Sequence, residues 1–230
     1  MTLQTDLEAE ISNIVRSVWS TRNGTVVPGD NSVTLSNDGV EIEATVLYAD
    51  LADSTDMVNN YTPQFSAEVY KAFLHCCAKI IRSEGGEITA YDGDRIMAVY
   101  MGDSKNTSAV RTSMKIAWAA RNIVQSTFED FYTNTPFELK HVCGIDTSKL
   151  FVAKTGVRGA NDLVWVGRSA NYAAKLSAMP SSHSKYITEA IYSNMNDSVK
   201  FSNGTNMWEA CGDLKGTNIY RSTWWWQTLD

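Results

Sequence analysis

Asp50 closes a hydrophobic run in the stretch Tyr48-Ala49-Asp50-Leu51-Ala52-Asp53-Ser54-Thr55. A carboxylate at a strand end can hold a hard divalent cation. The amides between Ala52 and Thr55 can cradle phosphate where the next helix starts. The same residues also suit a simple helix cap. Asp92-Gly93-Asp94 comes next, and a DG pair marks a hairpin turn. Taken alone Asp94 is a turn residue. Beside a strand-end Asp50, the two carboxylates can converge on a pair of divalent cations about 4 Å apart, completed by substrate phosphates. In Gly167-Arg168-Ser169-Ala170-Asn171-Tyr172-Ala173-Ala174-Lys175-Leu176, Asn171 and Lys175 stand four apart and share one helical face. An amide and a cation so placed can clamp a transferring phosphoryl group, or can simply be solvated surface.

The elements around these groups follow from periodicity and breakers. Residues 6–20 place Leu7, Ile11, Ile14 and Val18 on one helical face that needs a packing partner. Residues 21–39 read as a Gly/Asn/Asp/Ser-rich loop with a short strand at 32–35. Residues 41–49 form a strand with Ile42, Ala44, Val46 and Tyr48 on one face, and residues 66–84 a helix stopped by Gly85-Gly86. Residues 87–101 are two strands joined at Asp92-Gly93. Residues 107–129 are a helix, and residues 137–154 a strand pair turning at 146–149. Residues 167–178 form a helix followed by Pro180, residues 185–194 a strand and helix, and further strands close the chain. This order predicts an α+β fold on a mainly antiparallel sheet.

Composition narrows the chemistry. The chain has 230 residues, 43% hydrophobic and 20% charged, with a net charge of −6. Such a balance carries no footprint for nucleic acid or an anionic membrane, so charge for an anionic substrate must be local or metal-borne. Cys76, Cys77, Cys143 and Cys211 show no zinc-like spacing, nor do His75, His141 and His183, which predicts reduced thiols. No apolar stretch reaches membrane-span length. The first residues, with Asp6, Glu8 and Glu10, lack a signal pattern. The expectation is a cytoplasmic protein.

Taken in order, these motifs resemble the catalytic domain of the class III nucleotidyl cyclases. The family stretch Phe-x-Asp-Ile-x-Gly-Phe/Ser-Thr corresponds to residues 48–55. Its Gly-Asp hairpin corresponds to Gly93-Asp94, and its Gly-x-x-Val-Asn-x-Ala-x-Arg-Leu to residues 167–176. A late Lys-Gly element corresponds to Leu214-Lys215-Gly216. The likeness spans residues 41–221, with residues 1–39 as an appended helix and loop and residues 40–230 as the catalytic domain. It implies a ferredoxin-like, palm-like sheet and a head-to-tail homodimer with shared sites. Two divalent metal ions, Mn²⁺ or Mg²⁺, would be held by Asp50, Asp94 and the Leu51 carbonyl. Asn171 would orient the ribose, Lys175 would replace the family arginine, and Lys215, with Ser54 and Thr55, would meet the polyphosphate. Asp50 and Asp94 would come from one chain, and Asn171, Lys175 and Lys215 from the other.

The departures from the pattern concern the base. Purine cyclases carry base-reading side chains where this chain has Ala90 and Val164. Tyr48 lies two residues before Asp50, hence on the same strand face, and Arg95 follows Asp94. A phenol that narrows the pocket and a guanidinium donor suit a pyrimidine. The resemblance therefore sharpens to the bacterial pyrimidine cyclases of Pycsar antiphage defence. It implies UTP as substrate ahead of CTP, and a cyclic nucleotide product read by a separate effector protein; the alternatives are an adenylate cyclase with an unusual base pocket and a non-catalytic cyclase-like binding module.

Overall fold

The computed structural model describes residues 2–227. The elements are α1 (Leu3–Arg16), β1 (Ser20–Asn23), β2 (Asp38–Leu51), α2 (Ser54–Asn60), α3 (Pro63–Ser83), β3 (Glu87–Asp92), β4 (Arg95–Tyr100), α4 (Lys105–Ala119) and α5 (Ser126–Phe131). They continue as β5 (His141–Val157), β6 (Ala160–Val166), α6 (Arg168–Ser177), β7 (Lys185–Thr188), α7 (Glu189–Asn194), β8 (Phe201–Ser202), β9 (Thr205–Asn206), β10 (Glu209–Leu214) and β11 (Thr217–Ser222). The chain divides into two compact units. One takes residues up to Glu43 with Lys149–Gly167; the other takes Ala44–Ser148 with the chain from Arg168 on.

In the second unit the strands lie side by side in the order β10-β11-β7-β5-β2-β4-β3. Ala52 N donates to Lys140 O at 2.9 Å, while Thr147 Oγ1 donates to Ala44 O at 3.2 Å, so β2 and β5 run antiparallel. β5 and β7 pair in parallel, and the other pairings are antiparallel. The expected α+β arrangement on a mainly antiparallel sheet is the one observed.

One face of this sheet is dry. Leu47, Ala49 and Leu51 of β2 and Ile96, Ala98 and Tyr100 of β4 pack against Val69, Phe73, Cys77 and Ile81 of α3 and Val110 and Met114 of α4. Each of the larger fully buried aliphatic or phenyl side chains among these contributes about 2 kcal/mol of burial free energy. Strand alternation turns Val46, Tyr48 and Asp50 to the opposite face. α6 covers part of that face, where Val142, Leu176, Tyr186 and Ile219 cluster. The close approach of α6 requires Gly144, because a Cβ there would stand 2.1 Å from Ala173 O and 2.4 Å from Ser177 N.

In the first unit β1 pairs in parallel with the start of β2, and β5 pairs with β6. Arg22 Nη1 donates to Asp38 Oδ1 at 2.5 Å, and Trp19 meets Phe151 edge-on at 5.1 Å. Three expectations are corrected. The strand expected at 32–35 is absent; Asp30–Ser32 is a 3₁₀ turn, and the extra strand is Ser20–Asn23. β5 runs straight through 146–149, and the reversal comes at 158–159 instead. The helix expected over 107–129 holds a π-helical turn at Ala120–Gln125 between α4 and α5. The apolar stripe of α1 is present but uncovered: no residue of α1 is buried, and Ile11 is 59% exposed.

Candidate active site

Two rungs of the β2–β4–β3 pairing build the first half of the site. Asp50 stands opposite Arg95, which stands opposite Asp92. Two rungs further, Tyr48 stands opposite Met97, which stands opposite Ala90. Cross-strand partners share a face, so Asp50, Arg95, Asp92, Tyr48 and Ala90 all look away from the helix layer. Gly93 makes the hairpin turn with φ 61° and places Asp94 beside Asp50.

The electrostatics of this corner favour a cation. Burial, and then the neighbouring Asp94 carboxylate, push Asp50 up to about 6, against the opposing pull of Arg95. Asp94 Oδ2 is buried and has no hydrogen-bond partner among the described residues. Two crowded carboxylates, one with an orphaned oxygen, fit a divalent ion. Their oxygens are hard donors of the kind Mg²⁺ and Mn²⁺ take.

Arg95 Nη2 donates to Asp92 Oδ2 at 2.7 Å, and its guanidinium lies 5.2 Å from the centroid of the Tyr48 ring. Burial works against the Arg95 charge, but the Asp92 bond and the Asp50 carboxylate outweigh it and raise the pKa further. Burial also raises the Tyr48 phenol, so it stays protonated.

The loop after β2 departs from the capping expectation. Asp53 sits at the N-cap of α2 with φ 59° and makes no side-chain capping bond; its carboxylate faces Lys140 at 3.5 Å. A left-handed backbone explains why the cyclase pattern has glycine at this place. Ser54 and Thr55 open α2, which is only seven residues long and lends little dipole. Asp53→Gly is expected to raise stability by about 0.5 kcal/mol, relief of strain exceeding the loss of an exposed ion pair. Urea denaturation checks this, and a loss of stability would mean the Asp53 carboxylate holds the loop.

The second half is carried by α6 and the β10–β11 turn. Ala170, Ala173 and Leu176 are buried, leaving Asn171 and Lys175 on the exposed face. Lys215 has φ 52° in the tight turn closed by Gly216. Its ammonium reaches hydrogen-bonding distance of Lys175 and lowers the Lys175 pKa. Two adjacent ammonium groups suit a polyanion. α6 is anchored by a group the sequence reading did not find. Arg168 donates through Nε to Asp146 Oδ2 at 3.0 Å and through Nη2 to Asp146 Oδ1 at 3.2 Å, while Thr188 Oγ1 donates to the same carboxylate at 2.5 Å. Asp146 is fully buried.

Asp50 and the β10–β11 turn do not meet within one sheet. Because β7 is parallel to β5 and antiparallel in sense to β2, the chain leaves β7 in the direction away from Asp50, and the β10–β11 turn lies further that way. About three strand spacings and six residues separate Asp50 from this turn, roughly 25 Å on the diagonal. Val164 belongs to the first unit, on β6 opposite Ala153.

No protein-family model matches the chain. It is 51% identical over 230 residues to a uridylate cyclase of Xanthomonas perforans, covering 99% of each chain. It is 48% identical over 230 residues to a uridylate cyclase of Burkholderia cepacia, covering 98% of this chain and 99% of that one. The solved adenylyl cyclase CyaB of P. aeruginosa superposes with a TM-score of 0.68 at 20% identity, over 80% of this chain and 95% of that one. The fold is that of the class III nucleotidyl cyclases. Within that class the chain belongs to the uridylate cyclase family, and it is a nucleotidyl cyclase, a phosphorus–oxygen lyase.

Proposed function

We propose that the enzyme converts UTP into 3′,5′-cyclic UMP and pyrophosphate. The observation that carries the base choice is the Tyr48–Met97–Ala90 rung beside the Arg95 guanidinium. A phenol and a guanidinium occupy the face where purine cyclases present purine-reading groups, and Ala90 offers none. The shared name of the relatives agrees with this reading.

In the reaction the ribose 3′-oxygen attacks the α-phosphorus, its proton leaves, and the bond to the pyrophosphate oxygen breaks. Asp50, Asp94 and the Leu51 carbonyl would hold two divalent ions, Mn²⁺ or Mg²⁺, which when bound lower the hydroxyl pKa and neutralise the leaving group. Asn171 orients the ribose and bonds the developing charge. Lys175 and Lys215 hold the polyphosphate, with the amides of Ser54 and Thr55 beside it. Tyr48 and Arg95 receive the base, and Ala90 and Val164 leave room where purine readers stand elsewhere.

The roughly 25 Å between Asp50 and the β10–β11 turn that carries Lys215 supports a head-to-tail homodimer whose partner supplies the missing half. Residues 40–230 then carry catalysis, with residues 1–39 appended. No described helix is long and apolar enough to cross a membrane, in keeping with a cytoplasmic enzyme. By the same family likeness the product serves as a second messenger in antiphage defence, read by a separate effector protein.

The deciding experiment is incubation with all four ribonucleotides and Mn²⁺, with mass spectrometry of the products. Cyclic UMP is expected to dominate. Mostly cyclic AMP or cyclic GMP would overturn the pyrimidine reading, and mostly cyclic CMP would overturn UTP alone.

A further inference from the structure

Asp146 is fully buried on β5, yet both its carboxylate oxygens are engaged. Oδ2 accepts Arg168 Nε at 3.0 Å, and Oδ1 accepts Arg168 Nη2 at 3.2 Å and Thr188 Oγ1 at 2.5 Å. Arg168 Nη2 also donates to Thr147 O at 2.7 Å. Burial raises the Asp146 pKa, and Thr188 and Arg168 pull against it. A buried ion pair is a poor source of stability, because well-packed apolar residues of similar volume hold two elements together as firmly. What a carboxylate gripped by a guanidinium fork adds is direction, since two parallel bonds fix an angle as well as a distance.

The elements joined here are those that carry the second half of the site. Arg168 opens α6, and Asn171 and Lys175 follow within two turns. From the same turn of α6, Ser169 N donates to Ser148 Oγ of β5 at 2.9 Å. On the other side, Thr188 closes β7 and stands opposite Ile219 of β11. The next residue, Glu189, accepts Tyr220 OH of β11 at 2.7 Å. β11 begins at Thr217, directly after the turn formed by Lys215 and Gly216. One carboxylate therefore ties the first turn of α6 to the strands that present Lys215. Its own burial keeps it from touching substrate.

We propose that Asp146 is a positioning residue: through Arg168 and Thr188 it sets α6 against β7 and β11, and so aims Asn171 at the ribose and holds Lys175 beside Lys215. This inference rests on the roles given above to those three residues.

Asp146→Asn tests it. The amide keeps one acceptor oxygen and places a donor against the donors of Arg168 or Thr188. The value of kcat should fall about tenfold, because small displacements of a catalytic group carry losses of this order or more. In an Asn171→Ala background the same change should lower kcat by less than about threefold, since the group it aims is gone. A merely structural role would lower kcat by one factor in both backgrounds. Thermal melts accompany each assay. Should Asp146→Asn fail to fold, Arg168→Lys carries the same pair of measurements, because that side chain is 41% exposed and lysine gives up the paired bonds. Unchanged kcat in the folded variant would overturn the proposal, and so would equal losses in both backgrounds. Normal turnover by Asn171→Ala alone would instead defeat the role of Asn171, and this proposal with it.

Discussion

Asp50→Asn and Asp94→Asn are each expected to lower cyclisation by about a thousandfold or more, because charge neutralisation at the reacting phosphate is the largest single contribution to this chemistry. Loss of fold does not explain such a result. Asp50 is raised to about 6 by burial and by Asp94, above the usual carboxylate value, so its ionised form weakens the metal-free protein. That penalty is absent below the unfolded pKa near 3.8 and fully present once the pH passes 6. Asp50→Asn therefore holds or gains stability at pH 7.5, in the same melt that accompanies the kinetic loss. Mixing Asp50→Asn with Asn171→Ala then restores roughly a quarter of the wild-type sites, since random exchange makes half the dimers mixed and each carries one intact site. Steady-state turnover before and after exchange reads this directly. Recovery absent despite demonstrated exchange would place each whole site within one chain, and near-normal turnover of either aspartate variant would remove the metal assignment.

Lys185→Met is expected to stabilise the protein at pH 7 by about 3 kcal/mol. Lys185 is wholly buried on β7, and its ammonium donates to Ser184 Oγ at 2.7 Å without a counter-ion among the described residues. Its titratable neighbours are His141, held neutral at about 3 by burial and then by Lys185 itself, and the Cys143 thiol, pushed up to about 12 by burial. Burial lowers Lys185 to about 8. Between pH 8 and 10.5 the unfolded chain holds this proton and the folded one does not, so the Lys185 contribution rises with pH across that window and is fully unfavourable below it. Denaturant unfolding of wild type and variant at pH 7 and pH 10 measures the difference, and the gap should narrow at the higher pH. A destabilised Lys185→Met at pH 7 would mean that the ammonium has a charged partner.

The elements that carry the candidate site residues were legible because their signals are local. A strand-end carboxylate, an Asp-Gly turn and an i, i+4 pair on a helix are each set by a few neighbouring residues, and Asp50, Asp94, Asn171 and Lys175 stand on those elements. What was not legible depends on partners far along the chain. Asp146-Thr147-Ser148 carries turn chemistry, yet β5 continues through it because Arg168 and Thr188 satisfy the buried Asp146. The irregularity of β3 between Ile88 and Ala90 exists only in its register with β4, and no single-strand pattern reveals it. Gly144 reads as a weakness in a strand until α6 is laid over it. The stripe on α1 shows the opposite limit: periodicity gave the apolar face, but periodicity carries no information on what covers it.

On the proposed head-to-tail pairing, with Asp50 and the β10–β11 turn far apart on one sheet, a lone chain would hold two halves of a site and no whole one. Output is then a property of encounters. Below the concentration at which chains pair, product formation grows with the square of the amount of enzyme, so halving the protein quarters the signal. A cell could keep a low standing stock nearly silent without an inhibitor, and a modest rise in abundance or local crowding would switch it on steeply.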